Sequence, residues 1–287
     1  MILNAENTIW ITGAGGLIGH YLVRTAPLYV PRACVYGLTR AELDLMDGAA
    51  VQARFAHDAP ALVIHCAALT RSPHCQARPA LAHRLNVELT EQLAALARTA
   101  SFIFLSTDLV FDGLAAPYAE NAPVNPLGVY AQTKAAAEQI VLAHPGHVVV
   151  RTSLNGGSSP TGDRGFNEQM RRAWQQGQCL SLFTDEFRAP IMAEITARAI
   201  WELAASGRPG LFHVAGSERL SRWQIGQLLA ERWPSLNPRI VAGSLKQYTG
   251  APRPPDTSLN CEKAQRLLSF PLPGFSAWLA AHPAGTF

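Results

Sequence analysis

Thr8-Ile9-Trp10-Ile11-Thr12-Gly13-Ala14-Gly15-Gly16-Leu17-Ile18-Gly19 is the stretch on which the reading of this chain turns. A short apolar run stops at a cluster of glycines, and apolar residues at helical spacing follow over 17–25. Gly13, Gly16 and Gly19 make a G-x-x-G-x-x-G pattern between a strand and a helix. Glycines let the backbone turn sharply and approach a pyrophosphate, while the helix that follows offers unpaired N–H groups and a partial positive charge. Glycine loops also serve plain turns; the flanking strand and helix are what point to a dinucleotide. Gly13, Gly15, Gly16, Leu17, Ile18 and Gly19 are the candidate residues for its diphosphate.

Outward from this turn the rhythm repeats. Short β-rich runs at 8–12, 33–38, 61–66, 101–105, 147–150 and 211–214 are mostly continuous apolar stretches, as in strands buried on both faces of a parallel sheet. Segments with helical spacing lie between them at 17–25, 49–57, 86–98 and 130–142. Strand alternating with helix predicts an α/β fold, a Rossmann-type doubly wound parallel sheet. After residue 150 the pattern changes to Gly, Ser and Pro over 155–165, then a helix over 166–176 and another from Ser221, where Ser221 and Gln224 form an S-x-x-Q capping box. We expect a dinucleotide-binding domain over 1–152, completed by about 178–214, and a smaller discontinuous substrate lobe from 153–177 and 215–287.

Composition narrows the function. Of 287 residues, 48% are apolar and 16% charged, below the roughly 25% charged of ordinary soluble proteins, which excludes disordered tails and coiled coils. The net charge is +3 with no block of like charge, so no nucleic-acid surface is expected. Five cysteines without a C-x-x-C pair read as reduced thiols in a cytoplasm. His65-Cys66 and His74-Cys75 lack a second pair at zinc spacing, so no metal is expected. The start of the chain, interrupted by Asn4, Glu6 and Asn7, does not read as a signal peptide, and no apolar run reaches bilayer length. No G-x-x-x-x-G-K-[ST], G-x-S-x-G or H-E-x-x-H motif is present.

A dinucleotide site needs a ribose reader near the end of the second strand. There the chain reads Tyr36-Gly37-Leu38-Thr39-Arg40, without an acid at the tip, so Arg40 favours NADP(H), with NAD(H) left open. Tyr130-Ala131-Gln132-Thr133-Lys134 places Tyr and Lys one turn apart on a helix face. An ammonium beside a phenol lowers its ordinary pKa of about 10 and so suits it to proton transfer at neutral pH. Lysine occurs only at 134, 246 and 263, and with six tyrosines in the chain such a spacing arises by chance only roughly 6% of the time. Upstream, Ser106-Thr107-Asp108 ends a strand, where α/β sheets assemble their ligand sites.

The glycine turn, Ser106-Thr107-Asp108-Leu109-Val110-Phe111-Asp112-Gly113, Tyr130-x-x-x-Lys134 and Arg151-Thr152-Ser153 stand in the order seen in the extended short-chain dehydrogenase/reductases. The chain resembles the dTDP-4-dehydrorhamnose reductase branch over nearly its whole length, including Asp185-Glu186-Phe187-Arg188-Ala189-Pro190 and Arg253-Pro254-Pro255-Asp256-Thr257-Ser258-Leu259-Asn260. The resemblance implies Thr107, Tyr130 and Lys134 as catalytic residues. It also implies Asp44 and Leu45 beside adenine, and Cys66, Ala67 and Ala68 along the cofactor. Asp108, Leu109, Leu154, Arg188 and Arg253 would face a small-molecule nucleotide sugar. The implied reaction is NADPH-dependent reduction of a nucleotide-linked 4-keto-6-deoxy sugar, in a protein for which a homodimer stays open.

Departures mark the substrate side. Leu109 stands where the branch usually has Tyr and Leu154 where it has Trp, and the loop Ala68-Leu69-Thr70-Arg71-Ser72-Pro73-His74 lacks the branch's lysine. Two other readings accompany the reductase. One is a nucleotide-sugar epimerase of the same superfamily; a dehydratase is disfavoured because Leu109 replaces its glutamate. The other is a non-catalytic NADP-binding regulatory subunit, since 212–221 and 253–261 also resemble the beta subunit of methionine adenosyltransferase.

Overall fold

Continuous apolar runs become the interior strands of one parallel sheet in the computed structural model, which describes residues 7–283; the N-terminal stretch read for a leader, through Glu6, lies outside the described residues. The strands are β1 (Thr8–Thr12), β2 (Cys34–Leu38), β3 (Leu62–His65), β4 (Ser101–Thr107), β5 (Val148–Thr152) and a sixth, Gly210–Val214. Their spatial order is Gly210–Val214, β5, β4, β3, β1, β2, and every neighbouring pair is parallel. The order reverses at β1, whose neighbours are β2 on one side and β3 on the other. A crevice outside the carboxyl ends of the strands at such a reversal is where this architecture receives ligands.

Alternation along the strands supplies both faces with core. Ile9 and Ile11 point to the layer of helix α1 (Leu17–Tyr29) and the helix Ala193–Ser206; Trp10 points to the layer of helix α2 (Gly48–Asp58), Leu89–Leu96 and Val129–Leu142. Ile9, Trp10, Ile11 and Ile64 are fully buried. At roughly 1.5–3 kcal/mol for each such side chain, this two-sided burial holds the strand ends in fixed register.

A second apolar cluster holds Phe166, Met170, Trp174, Leu182, Ile225, Leu229 and Phe275. Its capping box forms as read: Ser221 N–H donates to Gln224 Oε1 (2.8 Å) and Gln224 N–H to Ser221 Oγ (3.1 Å). One boundary moves. Cys179–Phe183 pairs in parallel with Arg239–Gly243, away from the six-stranded sheet, and Leu182 packs into the second cluster, so the chain returns to the sheet at Ala193 rather than near 178. The helix expected over 86–98 opens with a wide π turn, Arg84–Glu88, before the regular Leu89–Leu96. Among the described residues no helix is long and apolar enough to cross a membrane, and no cluster of three or more His, Cys, Asp or Glu is placed to hold a metal.

Candidate active site

The glycine turn sits at the sheet reversal. Gly13 has φ +70°, and a Cβ there would stand 2.7 Å from the Ala67 amide nitrogen; a Cβ on Gly19 would collide with the Gly13 carbonyl oxygen. A left-handed φ and two close backbone approaches explain why these positions must be glycine. Gly16 N–H donates to Gly13 O (2.8 Å), Ala14 N–H to Leu38 O (3.3 Å), and α1 then begins at Leu17 with no side-chain cap and no acid in its first turn. Its leading N–H groups are thus left for an anion.

Behind the turn runs a buried chain of polar groups. Thr90 Oγ–H donates to Asn86 O (2.8 Å), so His65 Nε2 donates to Thr90 Oγ (3.1 Å), and His65 Nδ1 accepts from Thr12 Oγ (2.7 Å). Thr12 Oγ in turn accepts from Ala67 N–H (3.3 Å), fixing Cys66, Ala67 and Ala68 at the β3 end. Burial pushes the His65 imidazole down to about 3, so it stays neutral, and pushes the Cys66 thiol up to about 12. Asn86 staples the neighbouring loop: its Oδ1 accepts from Leu69 N–H (2.7 Å), and its Nδ2 donates to Leu69 O and Thr133 Oγ (3.1 and 3.0 Å). Neither His65, Thr90 nor Asn86 was legible as a site residue, since the partners of each are set by tertiary contact.

Arg40 stands at the tip of β2 with its side chain 86% exposed, 3.6 Å from Asp44 Oδ2. Such a surface pair is worth well under about 1 kcal/mol, leaving the guanidinium free to reorient. Asp44 is half-buried and accepts from Met46 N–H (3.0 Å), and Leu45 packs on the α2-side core.

Tyr130, Thr107 and Lys134 come together. The helix Val129–Leu142 lays Tyr130 beside the end of β4, where the Thr107 hydroxyl donates to Asp108 Oδ1 (3.2 Å). Lys134, 3% exposed, donates from Nζ to Leu105 O (2.7 Å) and lies 3.7 Å over the Phe104 ring. The expected lowering of the phenol by this ammonium is not what the arrangement produces. Burial raises Tyr130 above its ordinary value, with Asp108 adding to the rise and Thr107 opposing it; Lys134 is itself pushed down to about 7 by burial. The i,i+4 spacing brings both side chains to one face, but the ammonium is taken up by a strand carbonyl and a ring.

A shallow cleft opens beside this group, lined by Ser72, Gln76, Leu109, Tyr130, Pro252 and Pro254 among others. Leu109 therefore faces it. Leu154 packs instead with the second apolar cluster. Ser72 and Gln76 went unread as site residues because they lie on a short helix, Ser72–Ala77, whose placement depends on the Asn86 staple.

The expected substrate contacts Asp108 and Arg188 lie behind the cleft wall. Asp108, 3% exposed, accepts from Ser153 Oγ and Thr257 Oγ (both 2.7 Å) and so ties the end of β4 to the C-terminal loop. Arg188, equally buried, donates to Phe187 O and Pro254 O and pairs with Glu186 (3.0 Å). Their groups are engaged in holding the wall. Arg253, between the two lining prolines, makes a two-pronged pair with Glu186 (2.7 and 2.8 Å) and keeps a third of its side chain exposed. The Arg222 charge also reaches Glu186, and its Nη1 is buried without a hydrogen-bond partner. Burial acts to raise the Glu186 carboxyl, but the guanidiniums of Arg253, Arg188 and Arg222 outweigh it and hold the carboxyl below its ordinary value; even with Asp108 3.9 Å from Arg188, the cations outnumber the acids.

Comparison with known proteins converges on one family. The family described as RmlD substrate binding domain matches residues 7–283. A dTDP-4-dehydrorhamnose reductase of Mycolicibacterium smegmatis is 31% identical over 273 residues, 92% of this chain and 81% of its own. Methionine adenosyltransferase 2 subunit beta of Xenopus laevis is 29% identical over 276 residues, 90% of this chain and 81% of its own. The crystal structure of a dTDP-4-dehydrorhamnose reductase from Clostridium acetobutylicum, 25% identical, superposes with a TM-score of 0.84 over 93% of this chain and 94% of that one.

Proposed function

From a chain that belongs to the RmlD substrate binding domain family, we propose an NADPH-dependent reductase of a nucleotide-linked 4-keto-6-deoxy sugar. The observation that carries the reading is that Tyr130 lines a cleft beside the end of β4, with Lys134 one turn along the same helix and Thr107 at the strand end. The turn suits the cofactor's diphosphate, because glycine at φ +70° lets it turn sharply at Gly13 and the first turn of α1 is uncapped. Gly13, Gly16 and Gly19 would hold the diphosphate, Arg40 a 2′-phosphate, and Lys134 the ribose beside the reacting centre. When bound, NADPH supplies the hydride that reduces the ketone.

The protein's own groups do the rest. Thr107 orients the ketone oxygen and Tyr130 donates the proton to it as negative charge develops there. A raised phenol is a weak acid but a good donor toward an alkoxide, whose own affinity for the proton is greater. Arg253, with the charge excess shared by Arg188 and Arg222, receives the diphosphate at the far wall, and binding there positions the ketone. Arg188 and Asp108 contribute by bracing that wall. Within the described residues, the segments 153–177 and 215–283, with the 179–183 strand added, would build the substrate side. All five cysteines are free thiols, which supports a cytoplasmic setting.

The direct test incubates the protein with dTDP-4-dehydrorhamnose and NADPH. Loss of NADPH absorbance in proportion to reduced sugar is the expected result; sugar interconversion with no net NADPH use would make the protein an epimerase. A second reading has its own observation, the likeness to a regulatory subunit across 90% of the chain together with Leu109 and Leu154 in place of aromatic residues. Co-purification with a methionine adenosyltransferase, and no turnover of any keto sugar, would favour it.

A further inference from the structure

The segment 157–165, between the short strand Asn155–Gly156 and the helix Phe166–Gln175, has no part in the reaction as described. It is stapled to that helix. Glu168, 7% exposed, accepts at Oε1 from Ser159 N–H (2.6 Å) and at Oε2 from Ser159 Oγ–H (2.8 Å), Arg164 N–H (2.9 Å) and Gly165 N–H (2.8 Å). Asn167 secures the start of the segment, accepting from Gly157 N–H (2.9 Å) and donating to Gly157 O (3.0 Å). Four donors on one buried carboxylate and a two-way amide pair make the segment a preformed unit.

This unit is anchored in the second apolar cluster, through Phe166, Met170 and Trp174, but leans on the dinucleotide side. Ser158 N–H donates to Tyr21 Oη on α1 (3.1 Å). Gly157, at φ +145°, lies so close to α1 that a Cβ there would stand 2.9 Å from the Tyr21 ring and 3.3 Å from Leu17 Cδ1. Farther along, Asp163 Oδ2 accepts from Arg71 Nη2 (3.2 Å), 92 residues away in sequence on the loop that follows β3. Asp163 also accepts from Thr161 Oγ and lies 3.2 Å from Arg164 Nε, so its carboxylate is held within the segment. Leu17 follows the glycine turn directly and Arg71 follows Ala67 and Ala68 at the β3 end, the two pieces of backbone that meet where Gly13 approaches Ala67. The segment thus has one foot on each of them.

We propose that 157–165 is a strap across the cofactor crevice, fastened by the Arg71–Asp163 pair, and that NADPH leaves when this pair parts. The inference rests on the reductase reading for the identity of the dinucleotide. Its physical basis is the unequal strength of the two attachments. Toward its own helix the strap is held by a buried, fully bonded carboxylate; toward the crevice it is held by one hydrogen bond and by an ion pair whose side chains are 53% and 24% exposed. A pair so open to solvent is readily broken. The strap can therefore lift from the crevice without losing its own shape, as lids that gate ligand exchange do.

NADPH fluorescence, followed in stopped flow after a chase with excess NADP+, reads the release rate. Arg71→Gln and Asp163→Asn should each speed release by about two- to fivefold, and the double variant by no more than the faster single one. Release unchanged in either single variant, or multiplied in the double, overturns the fastening; faster release in Arg71→Gln alone would mean that the guanidinium touches the cofactor and not the strap. A second measurement does not depend on the strength of the pair. Arg71→Cys with Asp163→Cys, in a chain whose exposed Cys34 and Cys179 are replaced by serine, is joined by a short bismaleimide. NADPH bound beforehand should then be released more than tenfold more slowly, and NADPH added afterwards should not bind. A joined protein that exchanges NADPH at the parent's rate overturns the strap. A parent protein that binds no NADPH would sink the cofactor reading and the strap with it, whereas binding with release unmoved sinks the strap alone.

Discussion

The two walls of the cleft are built on opposite plans. On one side Tyr130 and Lys134 come from successive turns of a single helix, with Thr107 supplied by the strand beneath it. On the other, Glu186, Arg188, Arg222 and Arg253 come from three separate parts of the chain and meet around one carboxylate. Local spacing creates the first constellation and tertiary folding the second. Substitutions on the helix wall should therefore act on the chemistry, and those on the arginine wall on folding and substrate affinity.

The sharpest way to break this contrast is Tyr130→Phe. It should lower kcat by about 10²–10⁴-fold while the fluorescence titration of NADPH is unchanged; substantial turnover would remove the phenol from the mechanism. Glu186→Gln is next and should act in the other manner. It leaves Arg188, Arg222 and Arg253 without their shared anion and should cost about 3 kcal/mol in denaturant unfolding. The sign with pH follows from the lowered carboxyl. Glu186 contributes its full stability above its ordinary value of 4.5 and loses it as pH falls through the folded value, so the gap between parent and variant should close in acid.

A smaller effect is expected at Arg253, which keeps a third of its side chain exposed. Arg253→Ala should raise the KM for the nucleotide sugar by about tenfold with kcat little changed, the signature of uniform binding. An unchanged KM would make it a counter-ion of Glu186 and nothing more. Arg40→Ser should be smallest, with stability unaltered and the preference for NADPH over NADH reduced by roughly tenfold or less. Equal affinities for the two cofactors in the parent protein would end the case for Arg40 as the phosphate reader.

Legibility followed the same division. The six strands could be placed to within a residue or two because a strand buried on both faces must be continuously apolar, and the glycine turn because only glycine fits its φ and its approach to Ala67. Tyr130 and Lys134 could be paired because 3.6 residues per turn puts i and i+4 on one face. What that periodicity could not supply was where the ammonium points. Its spacing predicted a lowered phenol, whereas burial raises it and the ammonium goes to the Leu105 carbonyl and Phe104 ring. Asp108 and Arg188 were read only as residues of this region, and their ties to Thr257 and Pro254 could not be, since a charged residue in a sequence looks the same whatever its partner.

By itself, then, the amino-acid order determined the sheet, its reversal at the glycine turn and the helix that carries the tyrosine, because each follows from periodicity or from a backbone conformation few residues adopt. Only the tertiary structure decided which charges are free and which are spent, because that depends on distances between residues far apart in the chain. Those distances put Arg188 and Arg253 on Glu186 and Arg151 on Glu138.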